Sequence, residues 1–182
     1  MGISTSVKIF IYPDETKLLL LKTTGLYRSN PDGSGQSFIQ SGNYYVNYVY
    51  DEVSGFIYFI NQTTGNVWRN TTAFDFTAFT DLGNFFPSSA ISTGTLIKVN
   101  NGRIIFGGGN YLKYTDNLFV STTDISGIIT NLAFLLYEGG DNVLGVSNVA
   151  NYNYYRSTDN GLTWPLISIP LGRYTVYAGY KV

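Results

Sequence analysis

The sequence predicts an all-β domain built from about four repeats, each with about four short strands. Its 182 residues include 16 Tyr, 12 Phe and 20 Gly, and these residue types favour strands and tight turns. We find no long segment with helical periodicity. Two sequence markers recur with one period of about 43 residues, a length that suits a single four-stranded unit.

The two repeat markers are a glycine and a basic residue that follows an apolar one. The basic residues are Arg28, Arg69, Lys113 and Arg156, and the glycines are Gly42, Gly83, Gly127 and Gly172. Both series advance in steps of about 41 to 45 residues. Because two independent markers share one period, we expect a single domain with repeats at approximately 6–44, 45–87, 88–128 and 129–172.

The first half of every repeat predicts a β-hairpin. The four predicted turns lie at residues 13–16, 51–55, 100–102 and 138–141, each between two apolar segments. The third turn contains Asn101-Gly102, and Asn-Gly is the strongest short hairpin signal. A second hairpin follows in each repeat, which gives about four strands per repeat.

The second hairpin of the fourth repeat carries the most specific motif in the chain. This eight-residue stretch reads Ser-Thr-Asp-Asn-Gly-Leu-Thr-Trp. Ser157 and Asp159 are predicted to accept hydrogen bonds from backbone N–H groups of the turn, and Gly161 to take a positive φ angle. Thr163 and Trp164 then begin a strand, with the indole packed beneath the hairpin.

Weaker copies of this motif occupy the same place in the other repeats. Residues 29–38 keep a serine, an aspartate, a glycine and the final aromatic residue, with two extra residues. In the third repeat, Thr115-Asp116-Asn117 matches Thr158-Asp159-Asn160 but lacks the glycine that follows. Residues 70–76 of the second repeat keep almost nothing of the motif.

The motif and its repetition resemble the Asp-box (BNR) repeat superfamily of β-propellers, which have sialidase-like blades. The resemblance implies a small β-propeller in which each repeat forms one four-stranded blade. Asp boxes in this superfamily usually lie away from active sites. The resemblance therefore implies a structural role for the motif residues Ser157, Asp159, Gly161, Thr163 and Trp164.

The last residues predict one more strand than four blades require. Residues 173–182 resemble the first strand of a further repeat. This strand either closes the ring by pairing with the N-terminal blade or pairs with another subunit, because an unpaired edge promotes association. The second alternative predicts a homo-oligomer or a larger assembly of protein subunits.

Composition excludes several classes of function. The chain has no His and no Cys, which excludes Ser-His-Asp and Cys-His catalysis and metal sites built from imidazole or thiolate. The net charge is −1 and the 11 basic residues are scattered, so nucleic-acid binding is not expected. No apolar run approaches about 18 residues and no secretory signal is visible, so membrane insertion is not expected. No cofactor is predicted.

Two pairs of neighbouring carboxylates fall at equivalent turns of the first two repeats. They are Asp14-Glu15 and Asp51-Glu52. We interpret them as solvated turn residues and predict no metal site. The alternatives are a calcium site and the acid pair of a glycosidase.

The resemblance does not extend to the sialidase reaction. Sialidases have six blades, three arginines that bind the substrate carboxylate, a tyrosine nucleophile and an acid/base aspartate. The chain is too short for six blades, and Arg28, Arg69 and Arg156 fall at equivalent points of successive hairpins beside the box turns. We therefore predict a protein that is not an enzyme.

The first functional hypothesis is a recognition module that binds glycans or a protein partner. Three repeats have an aromatic residue followed by a basic one, and such a pair offers a sugar a stacking ring and a fork of donors. The candidate pairs are Tyr27-Arg28, Trp68-Arg69 and Tyr155-Arg156. The alternative is that the aromatic residues pack between blades with the basic residues on the opposite face, as strand alternation favours.

The second functional hypothesis is a structural or scaffold subunit without a small ligand, for example a capsid or tail decoration. The uncharged polar composition and the surplus strand favour an assembly. A virion or an extracellular surface is the expected setting, by analogy with other small β-rich repeat domains. The two hypotheses are compatible, since such domains both assemble and bind surfaces.

Overall fold

The computed structural model describes residues 7–44, 48–87, 94–148 and 153–167. These residues form sixteen strands and no helix, so this part of the chain contains no helix able to cross a membrane. The predicted extra strand at 173–182 lies outside the described residues.

The sixteen strands form four sheets, which we name A to D in chain order. Sheet A contains β1 (Val7–Ile11), β2 (Leu18–Lys22), β3 (Gly25–Ser29) and β4 (Ser37–Ser41). Sheet B contains β5 (Tyr48–Asp51), β6 (Phe56–Ile60), β7 (Asn66–Thr72) and β8 (Asp75–Asn84). Sheet C contains β9 (Thr95–Lys98), β10 (Ile104–Gly108), β11 (Tyr111–Thr115) and β12 (Thr123–Asp124). Sheet D contains β13 (Leu132–Gly139), β14 (Asn142–Ser147), β15 (Tyr154–Ser157) and β16 (Leu166–Ile167).

Each sheet is an antiparallel meander in which the strands pair in chain order. The prediction of an all-β fold with four four-stranded units is confirmed. Each unit is one continuous segment of chain, so its hydrogen bonds form between neighbours in sequence.

The second strand of each sheet is apolar on both faces because both faces are covered. In β6, Ile57 and Phe59 face sheet A, whereas Tyr58 and Ile60 face sheet C. All four side chains are buried. Side chains alternate between the two faces of a strand, so a strand packed on both sides needs a continuous apolar run.

Three hydrophobic cores join sheets that are consecutive in the chain. The A/B core includes Phe10, Leu19, Leu21, Leu26, Ile57, Phe59 and Phe76. The B/C core includes Tyr58, Ile60, Val67, Leu96, Ile104, Phe106 and Phe119. The C/D core includes Ile105, Leu112, Leu135, Val143 and Trp164. The sheets therefore stack face against face in chain order, and β9 lies close to both β5 and β13 at the edge where they converge.

The hairpin turns after the first and third strands of every sheet lie on one rim of the stack, which we call the turn face. Antiparallel strands alternate in direction, so these two turns fall at the same end of a sheet. The Tyr12 hydroxyl donates to the Phe76 carbonyl over 3.0 Å and joins this end of sheet A to sheet B. Arg103 Nη1 donates to the Asn160 carbonyl over 3.2 Å and joins sheets C and D. The turn face comprises residues 12–17, 30–36, 52–55, 73–74, 99–103, 116–122, 140–141 and 158–165.

Candidate binding surface

The turn that begins at Ser157 in sheet D has the side-chain hydrogen bonds that the sequence predicts. Asp159 Oδ1 accepts from the backbone N–H groups of Leu162 and Thr163, at 3.0 and 2.9 Å. The Ser157 hydroxyl oxygen accepts from the backbone N–H of Gly161 at 2.7 Å. Since each bond satisfies a turn N–H that has no strand partner, the motif fixes the path of the chain.

Trp164 packs beneath this turn, as predicted. Its side chain is buried in the C/D core, and its indole Nε1 donates to the Gly161 carbonyl over 2.9 Å. Gly161 has a φ of 82°, in the left-handed region that glycine adopts without strain. The motif thus joins the turn face to the hydrophobic core below it.

Sheet C has a turn with the same hydrogen bonds and a different sequence. The Thr115 hydroxyl oxygen accepts from the backbone N–H groups of Asn117 and Phe119, at 3.3 and 3.0 Å. Asn117 Oδ1 in turn accepts from the backbone N–H of Ser121 at 2.9 Å. The amide oxygen of Asn117 therefore replaces the carboxylate of the sheet D turn.

The sequence alignment of these two turns was wrong by one residue. Thr115 corresponds to Ser157, because each hydroxyl accepts from the N–H groups two and four residues later. Asn117 consequently corresponds to Asp159. Both repeats contain Thr-Asp-Asn, and matching these identical residues gives the other alignment. The hydrogen bonds instead match the residues whose side-chain oxygens accept from the N–H groups of the turn.

A buried polar residue at the third strand of each sheet marks the repeat at the turn face. These residues are Ser29, Asn70, Thr115 and Ser157. Four residues further along, φ is positive in every sheet, at Gly33 (80°), Phe74 (59°), Phe119 (69°) and Gly161 (82°). Sequence reasoning missed this marker because two of the four left-handed residues are phenylalanines. The series of basic residues is broken in sheet C, where Tyr114 and not Lys113 precedes the polar residue.

The two members of each predicted sugar-binding pair lie on opposite faces of a sheet. Trp68 is paired with Phe59 and packs against the A/B core, whereas its neighbour Arg69 is paired with Tyr58 on the face toward sheet C. Arg69 stacks on Phe56 with its guanidinium carbon 4.1 Å from the ring centre. A sugar on the Trp68 ring would not reach the Arg69 guanidinium.

The same separation holds in sheets A and D. Tyr27 lies on the face of sheet A that points away from sheet B, and Arg28 lies on the face toward sheet B. Tyr155 packs against the C/D core, whereas Arg156 lies on the other face of sheet D. Arg156 donates two hydrogen bonds to the Glu138 carboxylate, at 2.9 and 3.0 Å. Sugar binding by these residues stays a prediction, and the structure does not bring a ring and its neighbouring guanidinium together.

The turn face carries most of the negative charge of the protein. Of the 12 acidic residues, Asp81, Asp124 and Glu138 lie away from these turns and their immediate neighbours, which leaves nine at the turn face. Among the described residues, two of the nine form ion pairs, Asp51 with Lys98 and Asp116 with Arg103.

Hydrogen bonds keep several of these carboxylates ionised. The Thr16 backbone N–H lowers the pKa of Asp14, and the side chain and N–H of Ser34 lower that of Asp32. The side chain and N–H of Thr77 lower the pKa of Asp75 in the same way. A carboxylate that accepts N–H and O–H bonds is stabilised in its charged form, so the turn face is negative at neutral pH.

Apolar side chains project from the tips of the same turns. Val53, Phe74, Val120 and Leu162 are between 48% and 90% exposed. They belong to sheets B, C and D, and Val120 and Leu162 occupy equivalent places in the two matching turns. Sequence reasoning did not select these residues, although an apolar residue inside a polar turn is a usable signal because burial does not account for it.

The carboxylate pairs of the first two repeats differ from one another. Asp14 and Glu15 are exposed in their turn, as expected. Asp51 is buried and forms an ion pair with Lys98 of sheet C, so its interpretation as a solvated residue was wrong. Burial acts to raise the pKa of Asp51, but hydrogen bonds from Lys98 and Ser54 outweigh burial and lower it. Among the described residues, no group of carboxylates has the geometry of a metal site.

Comparison with known proteins shows the fold and no closer relationship. No protein-family model and no curated protein sequence matches the chain. Solved structures with similar folds include YCF48 bound to D1 peptide, with a TM-score of 0.60 and 16% identity. A nidogen/laminin complex gives a TM-score of 0.58 at 12% identity, and the GH74 xyloglucanase of Xanthomonas campestris gives 0.67 at 15%. These neighbours are β-propellers, and the protein has this fold, whereas membership of the Asp-box superfamily stays a prediction.

The alignments cover most of this chain and a smaller share of its neighbours. They include 83% of the chain for YCF48 and for the nidogen complex, and 91% for the xyloglucanase. The corresponding shares of those proteins are 50%, 59% and 30%. The chain therefore spans about half the length of the first two and less of the third.

Proposed function

We propose that this protein is a non-catalytic β-propeller that binds a protein partner through its turn face. The observation that carries the proposal is the combination, on one rim, of exposed apolar tips and carboxylates that form no ion pair with any described residue. A partner segment with apolar side chains and Lys or Arg would be complementary to this surface.

The apolar tips supply the contact area. Four apolar side chains are exposed to water on this face: Val53, Phe74, Val120 and Leu162. A partner that covers them gains about 25 cal/mol for each Å² of apolar surface buried. Their backbone is already held by turn hydrogen bonds, so little conformational entropy is lost on binding.

The carboxylates supply orientation and selectivity. Asp14, Asp32 and Asp75 are held in the ionised form by their own turns. Their field attracts cationic segments and repels acidic ones over a Debye length of about 8 Å at physiological salt.

The solved neighbours are consistent with this proposal. YCF48 is bound to a D1 peptide, and the nidogen structure is a complex with laminin. The xyloglucanase shows that the fold also supports catalysis, so fold alone does not decide the matter. The absence of His and Cys favours the non-catalytic alternative.

Three finer features belong to the proposal as expectations from the sequence. The first is that the protein is located in a virion or on an extracellular surface. The second is that it binds glycans, and the third is that it acts as a purely structural subunit. No contact in the described residues favours a sugar over a peptide, so the experiment below tests binding of peptides.

A random peptide library displayed on phage, selected on the purified protein, tests the proposal. We expect selected peptides to be enriched in Lys or Arg next to large apolar residues, with affinities that weaken as salt is added. The double variant Val120→Ser/Leu162→Ser should weaken their binding at least tenfold in biolayer interferometry. Ile128→Ser, at an exposed apolar residue outside the turn face, serves as the matched control and should leave the affinity unchanged. Peptides without this bias, or equal affinity for the double variant, would overturn the proposal.

A further inference from the structure

We propose that the outer faces of sheets A and D bind each other between two copies of this chain, head to tail. The proposal is independent of the turn-face function. It follows from the equivalence between these two faces and the surfaces that already pack against each other inside the molecule.

The outer face of sheet A is mainly apolar, with Lys22 over the Tyr27 ring near one end, and has no partner sheet among the described residues. Ile9 is paired with Leu20, Leu20 with Tyr27, and Tyr27 with Phe38, so all four lie on the face that points away from sheet B. Ile11 lies on this face as well. Ile9, Ile11 and Phe38 are 49–59% exposed, which is unusual for large apolar residues in a sheet.

The outer face of sheet D also carries several apolar side chains, beside the Arg156–Glu138 ion pair. Leu136 is paired with Leu144, and Phe134 and Tyr154 are both paired with Val146, on the face opposite the C/D core. Leu136 is 44% exposed, and Phe134, Leu144 and Tyr154 are partly exposed.

The register shows that the face of sheet A is equivalent to a surface that packs against a neighbouring sheet elsewhere in the molecule. In sheet B, Phe59 and Trp68 form the pair that packs against sheet A. In sheet D, Gly145 and Tyr155 form the equivalent pair, on the face toward sheet C. The corresponding pair in sheet A is Leu20 and Tyr27, which face no described sheet.

The outer face of sheet D is equivalent to the surface that sheet A presents to sheet B and that sheet B presents to sheet C. Leu19 and Arg28 form the pair that sheet A presents to sheet B, and Tyr58 and Arg69 form the pair that sheet B presents to sheet C. Leu144 and Arg156 are the equivalent pair of sheet D. An A face placed on a D face would therefore repeat the A/B, B/C and C/D contacts.

A second copy is the occupant that these faces fit, because one chain carries both halves of the interface. A contact between two different faces is heterologous, and it closes into a ring when the rotation allows. The four sheets pack on one another in chain order, so each copy contributes an arc of blades with the sheet A face at one end and the sheet D face at the other. Two such arcs close with two identical D-to-A contacts.

Light scattering coupled to gel filtration on the full chain tests this proposal. We expect the unmodified protein to have twice the mass of one chain. Phe38→Glu and Leu136→Lys each damage both contacts of a ring dimer, so each variant alone should be a monomer. An equal mixture should regain dimers, because a mixed dimer has one contact with both faces intact. In its other contact, the introduced glutamate and the introduced lysine have opposite charge.

The controls separate this arrangement from others. Val120→Lys alters an exposed apolar residue of the turn face and should remain a dimer. Circular dichroism checks that each variant is folded, and small-angle scattering of the unmodified protein distinguishes a closed ring from an arc without any variant. A monomer at every concentration would overturn the proposal. A dimer sensitive to only one of the two variants would also overturn it, since that result indicates a contact between identical faces.

Discussion

At the scale of single residues, a buried side-chain oxygen at the end of the third strand accepts backbone N–H groups in sheets B, C and D. The hydroxyls of Thr115 and Ser157 collect backbone N–H groups that the strands leave unpaired, and Asn70 Oδ1 accepts the N–H of Ile57 at 2.9 Å. A buried N–H without a partner costs about 1–3 kcal/mol, so different side chains with an acceptor oxygen can serve at this position.

Replacing Asp159 with Ala should destabilise the protein by about 1–2 kcal/mol, because turn N–H groups lose their acceptor. Asp159→Asn should cost less, since Asn117 already performs this role in sheet C. Urea unfolding of both variants measures the difference. Equal losses for Ala and Asn would show that the acceptor oxygen is not what stabilises the turn.

The contribution of Asp159 should depend on pH. Partial burial acts to raise its pKa, but hydrogen bonds from Thr163, Ser157 and Leu162 outweigh burial and hold the pKa below the ordinary value of 3.8. Because the folded carboxyl is the stronger acid, its stabilisation is present above pH 3.8 and is lost as the pH falls below that value. The stability gap between the wild type and Asp159→Asn should therefore shrink as the pH falls from about 6 to about 3 and below. A gap that stays constant would contradict this mechanism.

The two left-handed phenylalanines should respond differently to replacement by glycine. Phe119→Gly removes a ring buried against Tyr58, Phe85 and Phe106, and should cost about 3 kcal/mol or more. Phe74→Gly removes a mostly exposed ring while relieving its strained φ, so stability should stay within about 1 kcal/mol. Thermal unfolding of the pair checks the contrast, and similar losses at both positions would refute it.

At the scale of elements, the sheets hold each other by fitted contacts between a turn and a strand. A methyl group on Gly161 would overlap the Ile105 Cδ1 atom of sheet C. The turn at Gly161 in sheet D therefore rests directly on the second strand of its neighbour, where Ile105 belongs to the C/D core. This close contact sets the spacing between sheets C and D at the turn face.

Gly161→Ala should destabilise the protein by about 2 kcal/mol or more, through this overlap and through the positive φ. Ile105→Val removes Cδ1 and should recover part of that loss in the double variant. A double-mutant cycle by chemical unfolding measures the recovery, which we expect to be about 1 kcal/mol. Additive losses would mean that the strained backbone alone accounts for the effect.

At the scale of the whole molecule, four sheets form a stack with distinct surfaces. The turn face combines negative charge with apolar tips, and the two outer faces repeat the chemistry of the internal interfaces. Because the turn face and the outer faces lie on different sides, one molecule could bind a partner through the turn face while its outer faces contact a second copy.

We expect no hydrolysis of xyloglucan, aryl sialosides or sugar lactones by the purified protein. The chain lacks His and Cys, and the buried carboxylate Asp51 is neutralised by Lys98 instead of standing opposite a second acid. Chromogenic and reducing-sugar assays measure turnover. Activity that a single carboxylate substitution removes would contradict the prediction, whereas a trace that survives every such substitution would indicate a contaminant.

The fold class, the number of four-stranded units and the hydrogen-bonded turn that begins at Ser157 follow from local sequence features. These features depend on local physics: alternation of side chains, turn residues with special φ angles, and short polar side chains that bond to their own backbone. Ser157, Asp159 and Gly161 behave as predicted because all their partners lie within a few residues.

Which faces of the described sheets are covered depends on packing between the sheets. Trp68 and Tyr27 have the same sequence context, yet sheet A covers Trp68 while Tyr27 faces no described sheet. Asp51 is buried and paired where Asp14 is exposed, because the Lys98 that neutralises it comes from another sheet. Burial and ion pairing depend on residues distant in the chain, so a local sequence pattern does not predict them.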